Sequence, residues 1–269
     1  MEGRQAAGAG WIQSLTVLAD GRLASGGSDG KIKLWDGAGE PVVLSQGRPV
    51  ASLAALPDGR LASADQDGKI KLWLTHDADE PKVLWDGNGN VWIFALAALR
   101  DGLVSGGQDG EIRLWSKVGT GEPITLFHGS EIHSLAVLQD GRLASGGEDG
   151  NVKLWPKERT GAPVVLRHGG LVLSLAVLAD GRLASGGDDG KIRLWLVDEQ
   201  KLIAALCLRA GRILQKKSGP VTSAPTLPGS RVVATFPQTG GHPTCKAALQ
   251  YERARRQVTL LQILMPHKG

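Results

Sequence analysis

An all-β fold built from repeated four-stranded blades is predicted for this chain of 269 residues by three observations. One segment, residues 14–35, returns five times and closes each time on a tryptophan: Trp35, Trp73, Trp115, Trp155 and Trp195, spaced 38, 42, 40 and 40 residues apart. Within each copy, short β-patterned runs alternate with Asp-Gly pairs, the strongest short hairpin signal. The 38 glycines fit a chain with many tight turns, where positive φ is needed. A period near 40 with strand patterning points to a β-propeller, whose repeats bury their apolar faces only by stacking on neighbours.

Residues 1–10 are Gly/Ala-rich and read as a flexible leader; they lack the apolar core of a signal peptide. The repeats occupy 11–197 as five blades: 11–47, 48–90, 91–131, 132–170 and 171–197. Strand A, Ser-Leu-Ala-Val-Leu or a variant, is apolar on both faces, as a strand between neighbouring blades must be. An Asp-Gly turn follows at Asp20-Gly21, Asp58-Gly59, Asp101-Gly102, Asp140-Gly141 and Asp180-Gly181. Strand B, Arg-Leu-Ala-Ser-Gly, runs to a second Asp-Gly at Asp29-Gly30, Asp67-Gly68, Asp109-Gly110, Asp149-Gly150 and Asp189-Gly190. Strand C alternates charge and aliphatic, as in Lys31-Ile32-Lys33-Leu34-Trp35, which gives one wet and one packed face. An outer strand follows at 41–44, 81–85, 123–127 and 163–167. Its leading proline suits an open edge, because it withholds an N–H from pairing. Blade 3 is one residue short between Asp101 and Ser105, so its turn must absorb the slip or the strand reverses its faces.

With these residues in place, the chain resembles the WD-repeat β-propeller family over 11–197, about seventy per cent of its length. Five copies of Ser-Gly-Gly/Ala-Asp-x-Asp-Gly followed by Leu-Trp carry the resemblance. Only Trp35-Asp36 keeps the Trp-Asp pair, and the family's Gly-His before strand A survives at His128 and His168. Gly8, Gln46 and Gly89 stand in the equivalent places. The resemblance implies a buried hydrogen-bonded tetrad in two blades: His128, Ser145, Asp149 and Trp155, then His168, Ser185, Asp189 and Trp195. A Ser/His/Asp set also suits a hydrolase, but a nucleophile would be unique and exposed on a strained turn beside an oxyanion hole. These sets repeat with the fold, so they are read as structural and no catalytic residue is expected.

Composition narrows the function classes. Cys207 and Cys245 both lie beyond the repeats, which indicates neither a disulfide framework nor a thiolate metal cage. His76, His133, His242 and His267 are scattered, the Gly-rich turns lack the Gly-Lys-Ser/Thr of a phosphate loop, and Asp188-Asp189 does not have calcium-loop spacing. No metal and no cofactor are expected. Residues 207–269 hold ten Lys/Arg and one acid, Glu252, whereas residues 1–206 hold 21 basic and 26 acidic residues. The repeat body, mildly acidic, gives no electrostatic reason to bind nucleic acid. No apolar run approaches the roughly 20 residues that span a bilayer, so a soluble, cytoplasmic protein is expected.

Function is expected where the copies differ. One position before strand A reads Gln13, Ala51, Phe94, His133 and Leu173; two residues earlier it reads Trp11, Pro49, Trp92, Glu131 and Leu171. The residue between them stays aliphatic: Ile12, Val50, Ile93, Ile132 and Val172. Strand alternation puts the two variable positions on one face and packs the constant one inward. A third variable position precedes the turn aspartate: Ser28, Gln66, Gln108, Glu148 and Asp188. The resemblance implies that all three lie at the rim of one flat face where protein partners dock, and exposed Trp11, Trp92 and Phe94 suit recognition.

Residues 198–212 open on an acid, run through helix formers and meet Gly211, which predicts a helical cap, with an outer strand as the alternative. If helical, it leaves blade 5 without its fourth strand. This segment also resembles the end of many bacterial multidomain WD-repeat proteins, where Ala-Gly-Arg leads into Asn-Leu-Thr-Lys-Glu-Glu-Trp-Ala-Arg-Tyr-Ile. Here residues 213–223 read Ile-Leu-Gln-Lys-Lys-Ser-Gly-Pro-Val-Thr-Ser, and one codon string spells both segments once a leading base is removed. Residues 213–269 are therefore expected to be a disordered basic tail produced by a frameshift, which resequencing of the gene tests. Five blades would need roughly 72° each to close a ring, against about 51° for seven, so a partial propeller cut from a longer parent is expected. The expected function is a non-catalytic protein–protein interaction scaffold. The alternative is a sensor module detached from a bacterial signalling ATPase, kinase or protease. Open blade edges add self-association as a second kind of contact.

Overall fold

The computed structural model describes residues 10–37, 39–75, 80–87, 91–116 and 121–198. Nineteen strands among the described residues form five antiparallel sheets, one per repeat. Blade 1 is β1 (Ile12–Val17), β2 (Leu23–Gly27), β3 (Lys31–Trp35) and β4 (Val42–Ser45); blade 2 is β5 (Val50–Ala55), β6 (Arg60–Asp65), β7 (Ile70–Leu74) and β8 (Lys82–Trp85). Blade 3 is β9 (Ile93–Leu99), β10 (Gly102–Gly107), β11 (Glu111–Ser116) and β12 (Ile124–Phe127). Blade 4 is β13 (Ile132–Val137), β14 (Leu143–Gly147), β15 (Asn151–Trp155) and β16 (Val164–Arg167). Blade 5 has three strands among the described residues: β17 (Val172–Val177), β18 (Leu183–Gly187) and β19 (Ile192–Trp195). Each sheet is a plain meander in sequence order.

The first turn of blades 1, 2, 4 and 5 is set by its aspartate and glycine. Gly21 takes φ +86°, its N–H donates to Leu18 O (3.0 Å), and the Asp20 carboxylate accepts from Arg22 N–H (3.1 Å) and Nε–H (2.8 Å). Blade 3 corrects the reading of Asp101-Gly102 as an equivalent turn. There Leu99 pairs directly with Gly102, so the glycine begins β10 and residues 100 and 101 alone make the loop. The missing residue is thus taken out of the turn, and Leu103 stays fully buried like Leu61 and Leu143. The outer strands start one residue later than expected, because Pro41, Pro81, Pro123 and Pro163 stand just before them.

Neighbouring blades pack by one repeated rule. The aliphatic residue opening strand A inserts against strand B of the blade before it. A Cβ on Gly26 would lie 2.5 Å from Val50 Cγ1, one on Gly106 2.9 Å from Ile132 Cγ2, and one on Gly146 2.5 Å from Val172 Cγ1. Val50, Ile132 and Val172 are 0% exposed. Burying each such side chain contributes about 1.5–3 kcal/mol, so these knobs are a large part of each blade interface. The tryptophan of strand C reaches back likewise: Trp73, Trp115 and Trp155 each join the core of the preceding blade. A hydrogen bond fixes the register: Ser14 Oγ accepts from Leu53 N–H (2.9 Å), Ser52 Oγ from Leu96 N–H (3.0 Å), and Ser134 Oγ from Leu175 N–H (3.0 Å).

The ends of the row depart from this rule. In blade 1 strand A is not apolar-buried on both faces as expected: Ile12 is 55% exposed, Leu15 60% and Val17 64%. The reason is positional, since no blade precedes it among the described residues. Leu194, at 51%, is likewise uncovered on the far side of blade 5. No packing comparable to that between neighbours joins β1 to blade 5 among the described residues. Beyond Trp195, residues 196–198 carry no regular structure; the expected helical cap and basic tail lie outside the described residues, as does the leader apart from Gly10.

Candidate interaction rim

Each blade carries a β-bulge at the same place. The pairing of strands A and B skips one residue, which is Gln13, Ala51, Phe94, His133 and Leu173 in blades 1 to 5. A bulge re-aims the side chain of the extra residue away from the ladder. The first of the three variable positions is therefore a bulge position in every copy, and simple alternation of an unbroken strand does not describe it.

The other two variable positions are tied to each other through the backbone. Trp11 O accepts from Ser28 N–H and Trp92 O from Gln108 N–H (both 2.9 Å), Glu131 O from Glu148 N–H (2.9 Å), and Leu171 O from Asp188 N–H (3.1 Å). Ser28 Oγ returns a bond by accepting from Trp11 N–H (2.9 Å). Pro49 and Gln66 hold these places in blade 2, both half-buried. The structure thus brings the three positions to the same end of each blade.

At blades 3 and 4 they meet across the interface. Trp92 and Phe94 pack edge to face with ring centroids 6.1 Å apart, and the Phe94 ring stacks on the His133 imidazole at 5.3 Å and 19°. Trp92 remains 45% exposed. His133 Nε2 is buried and has no hydrogen-bond partner. Such an orphaned nitrogen costs free energy until a donor or acceptor reaches it. Trp11 (84% exposed), in the place of Trp92, and Leu173 (52%), in the place of Phe94 and His133, stand at the two ends of the row and do not join this cluster.

The Ser/His/Asp sets lie inside the blades. In blade 4, Trp155 Nε1–H donates to Ser145 Oγ (2.8 Å), Ser145 Oγ lies 2.7 Å from His128 Nδ1, and His128 Nε2 lies 3.2 Å from Asp149 Oδ1. Blade 5 repeats this through Trp195, Ser185, His168 and Asp189 at 2.8, 2.8 and 3.3 Å. Burial, aided by the charge of Lys153, pushes His128 below its ordinary value against the pull of Asp149. A neutral ring donating from Nε2 to the carboxylate leaves Nδ1 to accept from the serine. Burial opposes ionisation of Asp149, yet hydrogen bonds from Asn151 and His128 outweigh it and bring its carboxyl down to about 2. The Arg193 guanidinium chiefly holds Asp189 near the same value. Ser145 and Ser185 are 0% exposed, so neither hydroxyl can meet a substrate.

Blade 2 holds a fourth-residue variant that the sequence reading left out. Trp73 Nε1–H donates to Ser63 Oγ (2.7 Å), Ser63 donates to Gln46 Oε1 (2.6 Å), and Gln46 Nε2–H donates to Asp65 (2.8 Å). The amide supplies an acceptor at one end and a donor at the other, as neutral imidazole does. The acid has moved two residues, onto the end of strand B, which frees Asp67 to pair with Arg48 at 2.8 Å. The signal was present: this copy reads Ser-Ala-Asp-Gln-Asp-Gly where the others read Ser-Gly-Gly-x-Asp-Gly. In blade 3 Arg113 takes the acid Asp109 (2.5 Å), and Ser105 Oγ is buried without a partner.

Residues 5–36, 41–73, 121–156 and 163–195 match the family model described as WD domain, G-beta repeat. The chain carries WD repeats. The stretch between 73 and 121, which these matches omit, holds the first three strands of blade 3 with its shortened turn and unpartnered serine. Among curated proteins, none matches the chain. WD repeats generally mediate protein–protein interactions and are typically non-catalytic. No cluster of three or more His, Cys, Asp or Glu able to hold a metal occurs among the described residues, and no helix there is long and apolar enough to cross a membrane.

Proposed function

We propose that this WD-repeat chain is a non-catalytic scaffold that docks a protein partner on the rim built from the variable positions, centred on Trp92, Phe94 and His133. The observation that supports it most is the aromatic ladder across blades 3 and 4, with an exposed indole at one end and an unsatisfied imidazole nitrogen at the other. Aromatic anchors beside unfilled polar groups are where interface energy concentrates. Around the ladder, Gln108 borders Trp92, while Glu131, Glu148 and Asp188 line the same end of blades 4 and 5. A partner that presents an apolar side chain to the indole and basic groups to these acids fits that surface.

The test is a capture experiment with the whole chain immobilised, followed by affinity measurement on the identified partner. Trp92→Ser combined with Phe94→Ser is expected to weaken binding by about thirtyfold or more, the scale of an interface hot spot. Both side chains sit outside the blade cores, so the variant is expected to fold. Unchanged affinity of the folded variant would sink the proposal.

A further inference from the structure

Among the described residues, the two ends of the blade row present uncovered and complementary faces. Every internal junction joins an aliphatic knob opening strand A to a small residue on strand B of the blade before it, and three of the four add a serine that accepts from a leucine N–H; at the fourth, between blades 3 and 4, Ala95 stands in the serine's place. Blade 1 presents the knob half, and no blade precedes it among the described residues. Ile12 stands where Val50, Ile93, Ile132 and Val172 are at most 2% exposed, yet it is 55% exposed. Leu15, in the place of Leu53 and Leu175, is 60% exposed, and a groove of about 430 Å³ runs between Ile12, Leu15, Leu23 and Trp35.

Blade 5 presents the other half. A Cβ on Gly186 would meet nothing within 4 Å, whereas the equivalent glycines 26, 106 and 146 are filled by the next blade's knob. Ser174, in the place of Ser14, Ser52 and Ser134, is exposed, and its Oγ accepts no N–H from a following blade among the described residues. Ile192 is 78% exposed where Ile32, Ile70, Ile112 and Val152 are fully buried. One end therefore lacks a socket and the other lacks a knob.

We infer that blade 5 of one copy receives blade 1 of a second copy, head to tail, with Ile12 seated over Gly186 and Leu15 N–H donating to Ser174 Oγ. The occupant is a second copy because the chain itself carries both complementary halves. Its own blade 1 does not pack on blade 5 as neighbours do. The interface is heterologous, so it builds a ring if the rotation closes and an open filament if it does not.

Light scattering on the full chain from about 1 µM to about 100 µM tests this, a range that reveals micromolar association. The mass is expected to climb from 28.3 kDa to multiples of it. Ile12→Glu spoils only the knob end, and Gly186→Glu spoils only the socket, where open space admits a side chain without strain in the fold. Each variant alone is expected to remain at one copy with an unchanged circular dichroism spectrum. An equimolar mixture is expected to form a species of two copies and no more, since each variant keeps one working half. A wild-type chain that stays at 28.3 kDa throughout, variants that assemble like the wild type, or a mixture that stays monomeric would each overturn the inference.

Discussion

At the scale of residues, the WD tetrads behave as polar wiring whose direction can be read from one end to the other. The indole donates to serine, the serine to a nitrogen or amide oxygen, and that group to an aspartate. Every buried polar atom along this line is matched, which is why a Ser/His/Asp set here stabilises and does not react. Gln46 shows that an amide performs the same task without a titrating group. The sign of the pH dependence follows. His128 has a folded value below 6.5, so stability is complete above that pH and falls as acid protonates the unfolded chain first. Asp149 has a folded value of about 2 against 3.8, so a second loss sets in as pH falls from about 4 toward 2. His128→Gln is expected to flatten the dependence of melting temperature on pH between 7 and 5 while leaving the acid limb below 4 in place. A variant that keeps the wild-type slope between pH 7 and 5 would remove His128 as its source.

At the scale of elements, what a strand position tolerates is decided by the neighbouring blade and not by its own sheet. Gly146 and Gly186 occupy the same place in β14 and β18, two strands of identical sequence. Gly146→Ala forces its Cβ to within 2.5 Å of Val172 Cγ1 and is expected to destabilise the chain by about 1–3 kcal/mol, the usual cost of overpacking. Gly186→Ala meets open space and is expected to change stability by less than about 0.5 kcal/mol. Denaturant titration of the two variants checks this at concentrations below any association, and equal effects would refute the interface rule. Blade 3 teaches a related lesson about turns. A deletion placed in the hairpin loop leaves the alternation of β10 untouched, because the loop has no face to conserve.

At the scale of the whole row, stability accumulates through nearest-neighbour interfaces, as in other stacked repeats. Blades 2, 3 and 4 are each covered on two sides, and β6 and β10 are buried almost throughout. Blade 1 and blade 5 are covered on one side, and β1 and β19 remain largely open. Amide hydrogen exchange on dilute protein is therefore expected to be slowest in β6, β10 and β14 and fastest in β1 and β19. Uniform protection along the row would contradict this nearest-neighbour account.

The repeat period, the strand order and four of the five first-turn aspartates (Asp101 is the exception, since β10 already begins at Gly102) were legible in the amino-acid sequence, because each depends on local backbone chemistry. So was the location of the variable positions, since five near-identical sentences expose every change of letter. The bulge at Phe94 and His133 was not legible, because a skipped residue in a strand pair depends on the partner strand. Gln46 could be read in the histidine's place and Asp65 as an extra acid, but that the two bond to each other and complete a tetrad becomes visible only when both side chains are placed. The chain alone determined that blades form and in what order. Only the tertiary structure decided which apolar faces are covered, since burial belongs to the blade next door: the same aliphatic residue is core in Val50 and surface in Ile12.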